Sequence, residues 1–309
     1  MIIAVVGSTA AGKSALSLEL AELLGGPGEV EIISADAMQL YRGMDIGTAK
    51  LPVEERRGIA HHQLDVLDVT DVASVAGYQR HARAELEAIL GRGKIPMVVG
   101  GSGLYVSGLL DELDFPGTDP KIRAELERVH AESGLSPLIE ELRDLDPVSA
   151  QTINLKNPRR VIRALEVVRL TGRSYTPVFP RHTSHYDDVV MLGVRREREV
   201  LNEAIGQRAA KMFAGGLLEE TRALLECGLR EGETARKATG YAEAIAVIDG
   251  EMGVDEAVES VAQATRRLAK KQRTWFGRDP RITWIDVEGD LSEVARAAYG
   301  ALGRTSSTR

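Results

Sequence analysis

The chain begins with the stretch Ile2-Ile3-Ala4-Val5-Val6-Gly7-Ser8-Thr9-Ala10-Ala11-Gly12-Lys13-Ser14. Its first five residues are apolar and mostly β-branched, which predicts a short buried strand. The next eight, Gly7–Ser14, follow the pattern GxxxxGK[ST] of a phosphate-binding loop and lead into an amphipathic stretch. In such a loop, glycines let backbone N–H groups turn toward phosphate oxygens, and the helix that follows adds its dipole. The stretch therefore predicts a strand, loop and helix that bind a phosphorylated ligand.

Two side chains of this loop are candidates for direct roles. Lys13 would reach a bridging or terminal phosphate, and the hydroxyl of Ser14 would hold Mg²⁺. The competing interpretation is an ordinary glycine turn followed by a surface lysine. The motif indicates a phosphorylated ligand and does not by itself distinguish ATP from another compound.

The composition is that of an ordinary soluble protein: 309 residues, 43% hydrophobic and 28% charged, with a net charge of −7. No apolar stretch approaches the length that spans a bilayer, and no secretory signal is visible, so we expect a cytoplasmic protein without a membrane partner. The single cysteine, Cys227, excludes an internal disulfide and a thiolate zinc site, and we expect it in the core.

Strand and helix patterns alternate over the first hundred residues, which predicts an α/β fold with a parallel sheet. The predicted strands are Ile2–Val6, Val30–Ala35, Leu64–Leu67 and Ile95–Val99. Asp36 and the loop Gly100–Gly103 follow two of these strands directly. Because ligands bind at the carboxyl ends of parallel strands, we expect the phosphate-binding loop, Asp36 and Ser102 to share one crevice.

The pattern changes after Pro116, where the chain becomes nearly all helical, and Val189–Val194 reads as a return to the sheet. We therefore predict a P-loop α/β core formed by residues 1–116 and 189–303, with a helical domain inserted at 117–188.

Polar residues at the predicted strand ends suggest chemistry beyond phosphate binding. A carboxylate at Asp36 can bind magnesium or accept a proton, and the alternative is a carboxylate that caps a turn. Gln39 offers a donor and an acceptor, which suits the edge of a nucleic-acid base.

Two basic segments are candidates for polyanion binding. Arg159, Arg160 and Arg163 lie at the start of a predicted helix, where they oppose the helix dipole. From Gln263 to Arg281 there are seven cations and one anion, and Arg266–Arg273 lies opposite an apolar stripe. A solvated charged face explains either segment as well, although exposed helices usually mix signs.

Several longer segments resemble those of the tRNA dimethylallyltransferases and the related adenylate dimethylallyltransferases. The resemblance runs from Ile3 to about Asp286. Besides Gly7–Ser14, its marks are Ile33–Lys50, Val98–Tyr105, Arg160–Val167 and Thr265–Phe276. Ala37, Arg159 and Gly277 stand where the family commonly has serine, glutamine and arginine.

The resemblance implies transfer of a dimethylallyl group from dimethylallyl diphosphate to the N6 amine of the adenosine just 3′ of the anticodon. The loop Gly7–Ser14 would then hold the diphosphate, with Mg²⁺ at Ser14. Asp36 matches the family's proposed base, Thr9 lies close to it in the family, and Arg208 matches an arginine on the diphosphate. The partners implied are the tRNA anticodon stem-loop and dimethylallyl diphosphate, and we expect a monomer of the bacterial type.

The family's tRNA contacts correspond to two sets of positions in this chain. One set belongs to the predicted α/β core and the other to the predicted helical insertion. The residues are Asp36, Ala37, Met38, Gln39, Ser102, Arg123, Arg159, Arg160, Val161, Ile162 and Arg163.

Two other functions stay open at this point. The acceptor could be free AMP or ATP, although a mononucleotide needs neither a helical insertion nor a basic helix. Alternatively, the chain could be a P-loop small-molecule kinase, in which Asp65 or Asp68 would supply a second acid for magnesium.

Overall fold

A computed structural model describes residues 1–175 and 182–305, with the last two by their backbone alone. Its centre is a sheet of six parallel strands in the order β3-β2-β4-β1-β5-β6. The strands are β1 Ile2–Gly7, β2 Val30–Ser34, β3 His61–His62, β4 Ile95–Gly100, β5 Val189–Arg195 and β6 Ile282–Asp286.

Helices cover both faces of this sheet and form most of the remaining described chain. The helices of the first half are α1 Lys13–Leu23, α2 Val75–Gly91, α3 Gly103–Leu110, α4 Pro120–Ser133, α5 Ser136–Leu145, α6 Pro147–Thr152 and α7 Pro158–Thr171. Those of the second half are α8 Arg198–Ala214, α9 Leu217–Glu226, α10 Tyr241–Ile248, α11 Val254–Phe276 and α12 Leu291–Thr305.

Strand β1 lies between β4 and β5 and is buried along its whole length. Successive side chains of a strand point to opposite faces, and β1 fills both. Ile3 and Val5 belong to one apolar cluster, whereas Ile2, Ala4 and Val6 belong to the other. The continuous apolar run that predicted a buried strand is therefore explained by a sheet that is covered on both sides, and the predicted α/β fold is confirmed.

The predicted strand Leu64–Leu67 is wrong. The strand at this edge is His61–His62, and Leu67 forms only an isolated bridge to Tyr41. Gln63 and Asp65 adopt left-handed backbone conformations, with φ of 59° and 56°. Such residues bend the chain and interrupt regular pairing, so the strand stops before the apolar residues begin.

The expectation that Cys227 belongs to the core is also wrong. This residue ends helix α9 and is exposed. The apolar residues Leu217 and Leu224 pack inward. The cysteine follows the last helical residue, Glu226, and its side chain is exposed.

The chain divides into two compact units, one formed by Met1–Glu112 with His182–Arg309 and the other by Leu113–Arg181. Backbone pairing of Asp111 with Ser184 and of Glu112 with Thr183 places residues 182–184 in the first unit. The helical unit therefore spans 113–181 and not the predicted 117–188. Its end comes earlier because the chain pairs with the α/β unit before strand β5 begins.

The second unit contains helices α4–α7 and its own apolar core, which includes Leu126, Leu142, Val161 and Leu165. In the described part of the chain, no helix combines the length and apolar character that crossing a membrane requires.

Candidate active site

The phosphate-binding loop has an unusual backbone that its sequence permits. Gly7, Ala10 and Gly12 have φ of 142°, 61° and 98°. A Cβ on Gly7 would lie 2.5 Å from the carbonyl oxygen of Val194 on the neighbouring strand, so only glycine fits there. The Lys13 ammonium donates to the carbonyl of Ser8 at 2.8 Å, which folds its side chain back across the loop.

Helix α11 supports this loop from the distant end of the chain. The backbone N–H of Thr9 donates to Oε1 of Gln272 at 2.8 Å, and the Ser8 hydroxyl donates to the carbonyl of Ala269 at 3.2 Å. Gln272 is buried on the inner face of the helix. The sequence patterns did not indicate this role. The signal available was a glutamine at the helical spacing of buried residues.

The residues after β2 and β4 meet beside the loop. The backbone N–H of Ala37 donates to the hydroxyl of Ser102 at 3.3 Å, and Oδ1 of Asp36 accepts the N–H of Met38 at 3.0 Å. Trp275 of α11 packs so tightly on Gly103 that a Cβ there would overlap its ring. The structure thus brings together Asp36, Ser102 and the phosphate-binding loop.

Arg208 reaches the same place from helix α8. Its guanidinium donates to the hydroxyl of Thr9 and to the carbonyl of Thr48, each at 3.3 Å. The same carbonyl accepts the side-chain N–H of Gln39. Oε1 of Gln39 in turn accepts a hydrogen bond from the Ser34 hydroxyl. The Gln39 amide is therefore already engaged at both ends within the protein.

These residues surround two adjoining cavities. The larger, of about 270 Å³, is bounded by the phosphate-binding loop with Lys13 and Ser14. The smaller, of about 120 Å³, takes half of its lining residues from α8 and α11, among them the apolar side chains of Ile205, Met212 and Leu268. The residues common to both are Thr9, Asp36, Thr48 and Arg208. The chamber beside the phosphate-binding loop and a second, more apolar chamber therefore share a wall that carries one carboxylate and one guanidinium.

The electrostatics of the larger cavity favour an anion. Burial lowers the pKa of Lys13 to about 8, an effect that Asp36 opposes and Arg208 reinforces. Burial likewise lowers the pKa of Arg208, which stays charged because an arginine pKa starts far above neutrality. Two cations thus face the single carboxylate of Asp36. Because burial disfavours the charged forms of Lys13 and Arg208, a bound negative charge would stabilise those forms.

The oxygen donors of the larger cavity are of the type that Mg²⁺ prefers. Ser14 is exposed at its edge, and the Asp36 carboxylate also lines it. Magnesium usually binds one or two protein oxygens together with substrate phosphates and waters. The Ser14 hydroxyl beside the phosphate-binding loop is suited to this coordination.

Two of the arginines predicted in the helical unit have partners within that unit. Arg123 and Arg163 both donate to the buried carboxylate of Glu166, at 2.6 and 2.7 Å. Burial alone would raise the pKa of Glu166, but the hydrogen bonds from the two guanidinium groups outweigh it and lower that pKa. The pair orders the start of α7 and keeps one net positive charge there.

The neighbouring positions of α7 divide between surface and core. Arg159 and Arg160 are exposed, whereas Val161 and Ile162 are buried among the apolar residues of the unit. The side chains of those two residues are therefore not available to a ligand.

A strand order of 3-2-4-1-5-6, with the phosphate-binding loop directly after the first strand, places this fold among the P-loop-like α/β proteins. A family model described as IPP transferase matches residues 39–279. The chain belongs to this family.

Individual relatives agree over nearly the full length. The chain is 55% identical over 307 residues to the tRNA dimethylallyltransferase of Nocardia farcinica, covering 99% of this chain and 97% of that protein. It is 53% identical over 288 residues to that of Mycobacterium tuberculosis strain H37Rv, covering 92% of each.

Solved structures of similar proteins share the fold. The tRNA isopentenylpyrophosphate transferase of Bacillus halodurans has 38% identity and a TM-score of 0.70, covering 99% of this chain and 97% of that one. A eukaryotic dimethylallyltransferase acting on tRNA has 26% identity and a TM-score of 0.81, covering 98% of this chain and 77% of that one.

The lowered pKa of Lys13 leads to a pH-dependent affinity. Above pH 8 the free protein loses the Lys13 proton that an anionic ligand needs, so binding must take a proton up. We expect the affinity for dimethylallyl diphosphate, measured by calorimetry, to be level from pH 7 to 8. It should then fall by about tenfold per unit as the pH rises further.

The control is Lys13→Arg, which keeps its charge throughout this range and should show no break near pH 8. The same break in both proteins would contradict the assignment of this titration to Lys13.

Proposed function

We propose that this protein transfers a dimethylallyl group from dimethylallyl diphosphate to the N6 amine of the adenosine 3′-adjacent to the anticodon in tRNA, releasing diphosphate. The observation that carries the proposal is the shared wall of the two cavities, where Asp36, Thr9 and Arg208 meet beside the phosphate-binding loop. Relatives that carry this activity in their names match nearly the whole chain.

The phosphate-binding loop holds the diphosphate of the donor. As the bond from C1 of the dimethylallyl group to the bridging oxygen breaks, negative charge grows on the diphosphate. The N–H groups of Thr9 and Ala11 are bonded within the protein, to Gln272 and Ser8, so other amides of the loop Gly7–Gly12 would donate to the diphosphate. Lys13 and Arg208 add charge where it develops. A magnesium ion bound at Ser14 would neutralise further charge on the leaving group.

Asp36 acts as the general base. The exocyclic amine of adenine is a weak nucleophile, because its lone pair is delocalised into the ring. As the bond between N6 and C1 forms, a proton passes from N6 to the carboxylate of Asp36, and diphosphate leaves with the electrons of the C–O bond. Within the described residues, Oδ1 of Asp36 accepts the Met38 N–H, which leaves Oδ2 for this transfer.

We assign the tRNA contacts to the backbone and side chains near Asp36–Gln39 and Ser102, and to Arg123 and residues 159–163 of the helical unit. Because the Gln39 amide is held by Ser34 and Thr48, its contribution in the free protein is to order the loop. The target base would have to leave its stack to reach Asp36.

Helix α11 offers a further surface for the RNA backbone. Among the described residues, no carboxylate forms an ion pair with its exposed cations, unlike Arg266, which pairs with Glu259. These cations are Arg267, Lys270, Lys271 and Arg273. Unpaired cations on one helix face suit a polyanion.

The kinase alternative is less compatible with the site. Asp65 forms an ion pair with Lys50, and Asp68 forms one with Arg42. Neither carboxylate lines the larger cavity, so neither is placed to supply the second acid for magnesium.

The proposal is tested by incubating the protein with dimethylallyl diphosphate, Mg²⁺ and either an anticodon stem-loop or AMP. We expect N6-prenylation of the adenosine beside the anticodon and no useful rate with AMP. Efficient prenylation of AMP, with no reaction of the stem-loop, would support the adenylate dimethylallyltransferase instead.

Replacing Asp36 with asparagine separates catalysis from recognition. The variant Asp36→Asn keeps the shape of the side chain but cannot accept the proton, so we expect kcat to fall by about two to four orders of magnitude. The affinity for tRNA, measured by filter binding, should stay near that of the parent. A variant that turns over normally but binds tRNA poorly would assign Asp36 to recognition.

Reversing charge on helix α11 tests the RNA surface. We expect the triple variant Arg267→Glu, Lys270→Glu and Lys271→Glu to bind tRNA more weakly and with a shallower dependence on salt. Each lost phosphate contact should reduce the slope of log affinity against log salt by about 0.7 to 0.9.

The matched control reverses three exposed cations elsewhere on the same unit: Arg80→Glu, Arg222→Glu and Arg296→Glu. The change in net charge is identical, so a specific surface predicts a clear difference between the two triple variants. Equal salt slopes would mean that α11 contributes only net charge.

A further inference from the structure

The segment Asp45–Lys50 forms part of the wall between the two cavities. Thr48 lines both of them. The Thr48 carbonyl accepts Nη2 of Arg208 and Nε2 of Gln39, each at 3.3 Å. This backbone oxygen and the Thr9 hydroxyl therefore hold the Arg208 guanidinium, and in the described part of the chain no carboxylate forms an ion pair with it.

Glu220 on helix α9 holds this segment from behind. Its carboxylate accepts the backbone N–H groups of three consecutive residues: Asp45 at 3.2 Å, Ile46 at 2.9 Å and Gly47 at 3.4 Å. Hydrogen bonds to an ionised carboxylate are stronger than those between neutral groups. Three backbone amides that donate to one side chain fix the backbone conformation of the residues just before Thr48.

A tyrosine completes the arrangement. The hydroxyl of Tyr241 donates to Oε1 of Glu220 at 2.6 Å, and the Tyr241 side chain is fully buried. Its ring lies so close to Gly47 that a Cβ on Gly47 would overlap it. Tyr241 thus orients the carboxylate and also packs against the segment that the carboxylate holds.

The ends of the segment are secured separately. The buried Lys50 ammonium contacts the Asp45 and Asp65 carboxylates, each at 2.6 Å, and the Tyr41 carbonyl at 2.9 Å. Lys50 therefore ties the ends of the segment together, while Glu220 takes the amides of the residues that precede Thr48.

We propose that Glu220 is a positioning residue for Arg208, acting through the backbone of residues 45–48. Its role is to hold the Thr48 carbonyl where it aims the guanidinium at the leaving diphosphate. The inference depends on the proposed function for the turnover measurement only, because binding of inorganic diphosphate tests the same positioning directly.

The first experiment replaces Glu220 with glutamine, which keeps the size of the side chain but offers one acceptor oxygen in place of two. We expect kcat for prenyl transfer to fall by about tenfold with little change in the KM for tRNA. The matched control is Glu219→Gln, one residue away on the same helix, where the exposed carboxylate pairs only with Arg222. That control should behave like the parent.

The decisive test is a double-mutant cycle with Arg208→Ala. If Glu220 acts through Arg208, then Glu220→Gln should cause no further loss of kcat once Arg208 is removed. Losses that multiply would mean that Glu220 supports the fold or acts elsewhere, and the proposal would be overturned. Where Glu220→Gln does not fold, Tyr241→Phe removes one hydrogen bond from the same carboxylate and should show a smaller loss with the same dependence on Arg208.

Calorimetric titration with inorganic diphosphate and Mg²⁺ separates this proposal from the proposed function. We expect Glu220→Gln to weaken diphosphate binding by about five- to tenfold in the parent and not in Arg208→Ala. If this cycle holds while no tRNA is prenylated, the positioning role stands and the proposed function fails. If tRNA is prenylated but the cycle shows independent effects, the positioning role fails.

Discussion

Two partly buried cations that face a single carboxylate are the constraint on which this site depends. Lys13 and Arg208 are both desolvated, and Asp36 is the one acid that acts on each of them. Such an arrangement costs stability in the free protein, since desolvated charges lose the solvation of water. The cost is recovered when a polyanionic ligand binds, and the proposed function identifies that ligand as a diphosphate whose charge grows as it departs.

Keeping these charges in place requires support from segments far apart in sequence. Gln272 accepts a backbone N–H from the phosphate-binding loop across 263 positions, and Arg208 reaches Thr9 across 199. On the other side, Glu220 holds the segment whose carbonyl receives Arg208. Because the donors are fixed before the ligand arrives, little reorganisation remains for the reacting complex.

Sequence patterns predicted the local parts of this structure well. The apolar run of β1 and the glycine spacing after it specify a buried strand and a phosphate-binding loop, because both depend on neighbours within a few residues. The strand ends also placed Asp36 and Ser102 correctly beside each other. The family predicted from the longer motifs is confirmed by the family model and by relatives over the whole length. The catalytic and tRNA-binding roles of individual residues stay predictions.

What sequence patterns could not supply were the partners of polar side chains. A helical period identifies Gln272 as inward-facing but does not say that it meets an amide of a loop. The arginines of α7 looked equally suited to a ligand and to solvent, and the structure pairs Arg163 with the buried Glu166. The strand predicted at Leu64–Leu67 failed because left-handed residues at 63 and 65 are invisible to hydrophobic periodicity. Long-range contacts and backbone conformations of non-glycine residues require the folded chain.

The most direct test of the central claim compares which phosphorylated compound the free site selects. Calorimetry in the presence of Mg²⁺ would measure the affinities of dimethylallyl diphosphate and ATP for the same protein. A cavity of about 270 Å³ that adjoins an apolar chamber of about 120 Å³ predicts that dimethylallyl diphosphate binds much more tightly than ATP. Tight binding of ATP accompanied by its hydrolysis, with no measurable binding of dimethylallyl diphosphate, would contradict the account.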